Sequence, residues 1–421
     1  MREVEFKSGV LHLEGASLER IAKRFGTPLY VYSLKAVLEN FHRICRAFEK
    51  ANPLIAYSAK ANSNGAILRA LAREGAGLDI VSGGELERGL RAGFPAERII
   101  YAGVGKTEAE IVAALQAGIR AFNMESVAEA EAISRIARRM KKRAPALLRI
   151  NPDVDPDTHD YITTGKKEKK FGINFEQAVE AFERAAALPG LEVMGLHAHI
   201  GSEILKPAPH AEALDRLAGL IETLRARGHL IRQLNLGGGF GIGYADEEKP
   251  LDVNALARRI IPTIKGLGCE IVFEPGRSIV GNAGLLLTRV VYIKEGAVKR
   301  FAIVDGGMND LIRPSLYGAY HRIERVRAIQ KEKRHHYDVV GPICESADFF
   351  AKDRLLPELA SGDLLAVYDA GAYSMAMAST YNSRPLLAEV LVRGGKAYLT
   401  RERQTVADLT RQERIPEFLK D

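Results

Sequence analysis

The chain has 421 residues, 47% of them hydrophobic and 27% charged, and a net charge of +7; that is too long for one core, so two or more domains are expected. No apolar run approaches the ~20 residues of a membrane span, which argues against a membrane protein. The 60 basic residues are interspersed with 53 acidic ones, and the one dense run, Lys166-Lys167-Glu168-Lys169-Lys170, has no aromatic ladder beside it, so nucleic acid is not the expected partner.

The segment Met1 to Leu13 carries charges throughout and no apolar leader core. Cys45, Cys269 and Cys344 are scattered without metal-like spacing, so neither a disulfide framework nor a zinc site is expected, and a reducing cytoplasm fits. Leu29-Tyr30-Val31-Tyr32 reads as a strand, followed by an amphipathic helix over Leu34–Lys50. From residue 54 to 277 one unit repeats: an apolar, β-branched run, turn residues, then a helical pattern such as Gly84–Ala92 or Val127–Met140. The runs are Leu54–Ala59, Leu78–Ser82, Arg98–Ala102, Ile119–Asn123, Ala146–Asn151, Leu191–Ile200, Ile231–Leu236 and Cys269–Glu274. Near-continuous apolar strands alternating with helices predict a parallel sheet. Eight such units predict a closed (β/α)8 TIM barrel over residues 34–280. The rival is an open doubly wound sheet, but its dinucleotide fingerprint is missing: Gly103-Val104-Gly105 lacks the third glycine. The stretch Asp153–Ile173 is long for a loop and reads as a functional or mobile segment that could close over the site. Beyond residue 280, Leu285–Lys294, Arg300–Asp305, His335–Val340 and Leu364–Tyr368 predict a mainly antiparallel β domain, made of residues 281–421 together with 1–33.

Barrel enzymes build their sites at the C-terminal strand ends, where this sequence concentrates its chemistry. Lys60 follows the first run, where partial burial would lower an ammonium pKa and make it a nucleophile for a carbonyl; taken alone, a lysine snorkelling to the rim is the plainer reading. Asp79 and Ser82 end the second run. His197-Ala198-His199 could present two rings on one face, but no third metal ligand is evident; His199 suits a flat ring stacked on a flat cofactor, and for His197 a buried core histidine is as good a reading. Gly237, Gly238 and Gly239 allow backbone amides to converge on an anion, with Gly276 adding more, although a glycine run is also simply a flexible turn. Glu274 would keep a pyridine nitrogen protonated and the ring an electron sink, unless it pairs with Arg277 across Pro275 and Gly276. These are the parts needed to hold pyridoxal 5'-phosphate.

The motifs Tyr57-Ser58-Ala59-Lys60-Ala61-Asn62, His199-Ile200-Gly201-Ser202, Gly237–Gly239 and Glu274-Pro275-Gly276-Arg277 together resemble the barrel of the fold-type III pyridoxal-phosphate decarboxylases. Gly341-Pro342-Ile343-Cys344-Glu345-Ser346-Ala347-Asp348 and Asp369-Ala370-Gly371-Ala372-Tyr373 are similar to C-terminal motifs of the branch acting on meso-diaminopimelate. The resemblance runs in order along nearly the whole chain. It implies an alanine racemase-like architecture, a barrel plus a β domain from both termini, and a homodimer with shared active sites. It implies that Lys60 carries the cofactor, that Tyr373 and Ser202 contact its phosphate, and that Cys344 donates a proton across the dimer interface. A lone cysteine is otherwise most often an inert buried thiol.

The implied reaction is decarboxylation of meso-2,6-diaminopimelate to L-lysine and carbon dioxide, the last step of lysine biosynthesis. Arg277 and Arg313 suit the distal carboxylate, because guanidinium binds it bidentately; Glu345 suits the distal ammonium, and Tyr317 adds a hydroxyl donor. The alternatives are a relative acting on ornithine, arginine or carboxynorspermidine, for which two arginines would be a liability, an amino-acid racemase, or a non-catalytic pyridoxal-phosphate-binding protein, which would have lost the substrate groups.

Overall fold

A computed structural model describes residues 3–155, 170–245, 247–328 and 333–420. The chain divides into two compact units, Val37–Gly281, and Met1–Ala36 together with Asn282–Asp421. In the first unit eight parallel strands pair in chain order: Leu54–Ser58, Gly77–Ile80, Ile99–Tyr101, Ala121–Met124, Ala144–Asn151, Leu191–His197, Gln233–Asn235 and Glu270–Phe273. The eighth returns to the first, with Val272 beside Leu54 and Phe273 beside Ile55, so the sheet closes. Closure and a helical jacket cover both faces of strands that are apolar on both faces. The unit is the expected (β/α)8 barrel.

Local sequence explains why each helix starts at the C-terminal rim. Ser82 and Ser126 accept from the amides of Glu85 (3.2 Å) and Glu129 (3.1 Å) and cap the helices Gly83–Ala92 and Val127–Arg139. Thr107 and Glu110 form a reciprocal capping box on Glu108–Ala117. The strands stop one to three residues short of several expected ends: the first at Ser58, the sixth at His197, the eighth at Phe273. The chain leaves the ladder there to turn into the mouth, and Lys60 rides on a single 3-10 turn, Ala59–Ala61. The expected loop 153–173 and the lysine run within it fall mostly outside the described residues.

The second unit is a mainly antiparallel sheet. Gly284–Glu295 pairs antiparallel with Leu29–Ser33, Arg300–Val304 and Leu364–Val367, so the N-terminal strand joins the C-terminal domain as expected. Two pairings are parallel, Leu29–Ser33 with Ala388–Arg393 and Arg300–Val304 with Arg334–Val340. A core of Leu29, Val31, Leu285, Leu287, Val390 and Val392 lies against the N-terminal residues Leu11, Leu13 and Leu18. Strands Phe349–Pro357, Ala388–Arg393 and Lys396–Arg401 were not anticipated. Gly394 and Gly395, at φ 55° and 78°, are the turn signal that could have found the last two, since a two-residue hairpin favours positive φ at both positions. Among the described residues no helix is long and apolar enough to cross a membrane.

One core histidine makes the barrel's stability depend on pH. His210, on the helix Pro207–Ala226, meets Phe240 edge-on at 5.4 Å and is enclosed by Leu217, Ile260 and Phe273. Burial pushes its pKa down to about 4. The unfolded ring protonates near 6.5, so the native state loses stability as pH falls from there through about 4, by about 3 kcal/mol in all. We expect the urea midpoint to fall over this range, and His210→Leu to flatten that fall. An unchanged slope in the variant would assign the acid sensitivity to other groups.

Candidate active site

The C-terminal end of the barrel gathers charge around Glu274, which follows the eighth strand. Its carboxylate is 4% exposed. Asn123, on the fourth strand, and Asn235, on the seventh, donate to Oε1 at 3.0 and 2.6 Å. His197, ending the sixth, places Nε2 at 3.3 Å from Oε2. Burial alone would raise the Glu274 pKa, but His197, with Lys60 and Asn235, outweighs it and holds the group well below the usual carboxylate range. His197 is therefore a buried partner of Glu274, and among the described residues no cluster of His, Cys, Asp or Glu is placed to hold a metal. The pairing of Glu274 with Arg277 does not form.

Lys60 reaches the second strand. Its Nζ lies 3.1 Å from Oδ2 of Asp79, and that carboxylate is fully buried while the lysine side chain is 36% exposed. Ser58, paired in register with Asp79, donates to the same oxygen at 2.7 Å. Burial, and then the charge of Glu274, raise the Asp79 pKa, with Lys60 and Ser58 opposing. The two carboxylates are shifted in opposite directions, Asp79 up and Glu274 down. His199 accepts from the Gly238 amide at Nδ1, at 3.1 Å, so a proton on the neutral ring sits at Nε2. Burial first, then the charges of Lys60 and Arg149, hold its pKa well below 6.5. His199 is a neutral plane.

The glycine run packs more tightly than a flexible turn. A Cβ on Gly238 would overlap the Glu274 carbonyl oxygen, and Gly237, at φ 64°, faces the Ala198 carbonyl in the same way. The amides of Gly237 and Gly238 already donate, to Asn235 Oδ1 at 2.9 Å and to His199. Arg277 is buried; its Nη1 lies 2.8 Å from Glu203 and donates to Tyr244 at 2.6 Å, and Nη2 donates to Ser202 at 3.2 Å.

Several polar residues here had no place in the sequence reading. Arg149, within the fifth strand, pairs with Glu125 at 2.6 Å and lies over the Phe171 ring. Lys106, buried, pairs with Glu129 at 2.6 Å and donates to the carbonyls of Gly103 and Asn123. For Arg149 the signal was a charged residue inside an apolar strand, Leu147-Leu148-Arg149-Ile150; Lys106, in the loop after the third strand, offered no such signal.

The second unit holds the remaining expected residues. Arg313 and Tyr317 share a short helix, Arg313–Tyr317, begun by Pro314. Ser315 donates to the Ala347 carbonyl at 2.5 Å, tying this helix to the loop carrying Cys344 and Glu345. Asp348 Oδ2 accepts from the Ile343 amide and Oδ1 from Met308, both at 2.6 Å, and the Cys344 amide donates to Asn382 Oδ1 at 2.8 Å. Ser379 donates to the Asn309 carbonyl at 2.8 Å, which docks the segment following Tyr373 beside the same helix. Cys344 is exposed and free; Cys45 and Cys269 are half-buried, and burial raises both thiols. Tyr373 is held at φ 53°, an uncommon conformation for a residue with a side chain.

The barrel residues fit pyridoxal 5'-phosphate. Asp79 Oδ1 and Asn123 Oδ1 are buried without a hydrogen-bond donor, and a buried polar atom in that state calls for a polar partner. Around them stand an accessible amine at Lys60, a flat neutral ring at His199 and an ionised acid at Glu274.

The same conclusion comes from comparison with known proteins. Residues 34–281 match the model of the pyridoxal-dependent decarboxylase, pyridoxal binding domain. A diaminopimelate decarboxylase of Pseudomonas aeruginosa is 49% identical over 97% of this chain and 98% of its own length. Another, from Zymomonas mobilis, is 46% identical over 98% and 99%. The crystal structure of diaminopimelate decarboxylase from M. jannaschii in complex with L-lysine superimposes with a TM-score of 0.94 at 38% identity, covering 99% of both chains. With a family match over its whole barrel and relatives of this identity over nearly its full length, the chain belongs to the pyridoxal-dependent decarboxylase family.

Proposed function

We propose that the protein decarboxylates meso-2,6-diaminopimelate to L-lysine and carbon dioxide, in the cytoplasm, with pyridoxal 5'-phosphate carried by Lys60. The observation that carries this reading is the pairing of an accessible Lys60 with buried Asp79, beside a second carboxylate, Glu274, that is held ionised. When bound, the cofactor's pyridinium ring supplies a sink for the electron pair that departing carbon dioxide leaves behind. Glu274 would keep a proton at the ring nitrogen, because a carboxylate with its pKa held down favours a cation beside it. His199 would stack on the ring, its neutrality adding no competing charge there. Asp79 takes up the ammonium charge of Lys60. Gly239, Gly276, Ser202 and Tyr373 are the groups proposed to meet the phosphate.

On the substrate side, the exposed Cys344 thiol donates the proton that replaces the carboxyl group. Arg313 takes the distal carboxylate, with Tyr317 as a hydroxyl donor and Glu345 on the distal ammonium. Arg277 already faces one carboxylate, that of Glu203, which supports its role as a carboxylate binder; a substrate carboxylate would take over that place. The barrel supplies the amine, acid and stacking ring, the second unit the thiol and distal groups. We propose a homodimer in which the second unit of one subunit serves the barrel of the other. Three cysteines without a disulfide support the cytoplasmic placement.

Lys60 is expected to be the only lysine fixed to the cofactor by borohydride. Peptide mapping should place the mass increment on Lys60, and an increment on any other lysine overturns the assignment.

A mixture of inactive Lys60→Ala and Cys344→Ala proteins, allowed to exchange subunits, is expected to recover part of the activity. No recovery with exchange verified would place Cys344 in its own subunit's site.

Removing one partner of a buried, charged hydrogen bond costs roughly 2–5 kcal/mol. Arg313→Ala should therefore lower kcat/KM for meso-diaminopimelate by orders of magnitude. Any slow turnover of lysine or ornithine, which lack a distal carboxylate when they react, should change much less, and the cofactor spectrum should stay as it is. Equal losses on both substrate types would return the ornithine-type reading to first place.

A further inference from the structure

Arg313 is 2% exposed and His321 is fully buried. Nη1 of Arg313 lies 2.9 Å from Nε2 of His321, and Nδ1 of His321 lies 2.7 Å from the Tyr368 carbonyl oxygen. A guanidinium only donates, so the nitrogen facing it presents a lone pair. A carbonyl only accepts, so the nitrogen facing it carries the hydrogen. Both contacts are satisfied by a single state of the ring, the neutral imidazole protonated at Nδ1. The ring is itself fixed, because Arg354 donates to the His321 carbonyl at 2.8 Å and the Tyr368 amide donates to the Arg322 carbonyl at 2.8 Å.

We propose that His321 is a positioning residue for substrate specificity: through its hydrogen bond from Arg313 it aims the guanidinium that takes the distal carboxylate. A carboxylate in the same place would orient Arg313 and also neutralise it. A neutral ring orients it by accepting from one of its N–H groups and does not itself neutralise the cation. This inference rests on the proposed role of Arg313 at the distal carboxylate.

The test uses the holoenzyme with His321→Phe, His321→Gln and, as a control on the underlying reading, Arg313→Ala. The Phe ring fills the volume but cannot accept. Gln can accept from Arg313 and donate to the Tyr368 carbonyl. His321→Phe is expected to raise KM for meso-diaminopimelate by about tenfold to a hundredfold, the range for losing a hydrogen bond to a charged group, with a smaller change in kcat and an unchanged cofactor spectrum. His321→Gln is expected to restore most of the loss. Independently of activity, 15N spectra of histidine-labelled wild-type protein, assigned by the Gln variant, should show His321 protonated at Nδ1 and bare at Nε2. A ring protonated at Nε2 or at both nitrogens overturns the proposal whether or not the Phe variant folds, as does a folded Phe variant with unchanged KM. If Arg313→Ala spares the preference for meso-diaminopimelate, the reading of Arg313 fails. If Arg313→Ala abolishes that preference and His321→Phe does not, His321 alone is misassigned.

Discussion

An ionised carboxylate taken out of water costs several kcal/mol unless it is paired and hydrogen-bonded, and Glu274 is 4% exposed. The groups that cover it come from three other strands: Asn123 on the fourth, His197 on the sixth and Asn235 on the seventh. An open sheet with strands in chain order would put the fourth and eighth strands far apart. Only a closed ring lets both point at one carboxylate, so the barrel is a condition for the charge and not merely its container. That charge then orders its neighbours. Asp79 is raised by burial and by Glu274, and Lys60 sits against it. Burial, Lys60 and Arg149 keep His199 neutral. The result is a floor with a fixed anion, an adjacent cation and a neutral ring.

The second unit solves a different problem, holding in place the loop of the proposed proton donor. The Cys344 loop is held through its backbone. Asp348 collects the amides of Ile343 and Met308, and Asn382 collects the amide of Cys344. The anchoring atoms are carboxylate and amide oxygens, and the thiol is left exposed, as its proposed role requires. Burial raises the Asp348 pKa, and the two amides oppose that rise. The anchor is therefore strongest when that group is ionised, since charged acceptors form the stronger hydrogen bonds.

How far the sequence could be read depended on burial. All eight barrel strands were legible because strands covered on both faces lie in runs that are mostly apolar, and their spacing revealed the repeat. Lys60 and Glu274 were legible because a charged residue closing such a run is conspicuous. Asn123 and Asn235 sit inside the runs, and nothing local links them to a carboxylate 151 or 39 positions away. Arg149 and Glu125 are separated by 24 positions and meet only because the fourth and fifth strands are neighbours. The strand Phe349–Pro357 was missed because Lys352-Asp353-Arg354 interrupts its apolar pattern where the strand is exposed. The loop glycines were read as free amides, whereas the structure spends two of them internally, on Asn235 and His199.

The two arginines assigned to carboxylates are held in unlike ways, and the difference bears on what each can do. Arg277 faces Glu203 at 2.8 Å. For it to take a second carboxylate, that ion pair has to open, and the energy of opening offsets the energy of binding. Arg313 is oriented by a neutral imidazole at 2.9 Å, and accepting a carboxylate does not require breaking that contact. Of these two contacts, the imidazole does not itself neutralise the guanidinium it holds, whereas the carboxylate does. On this ground, in the proposed reading, selectivity for a substrate with a distal carboxylate would fall mainly to Arg313, while Arg277 is joined to Ser202, Tyr244 and Glu203.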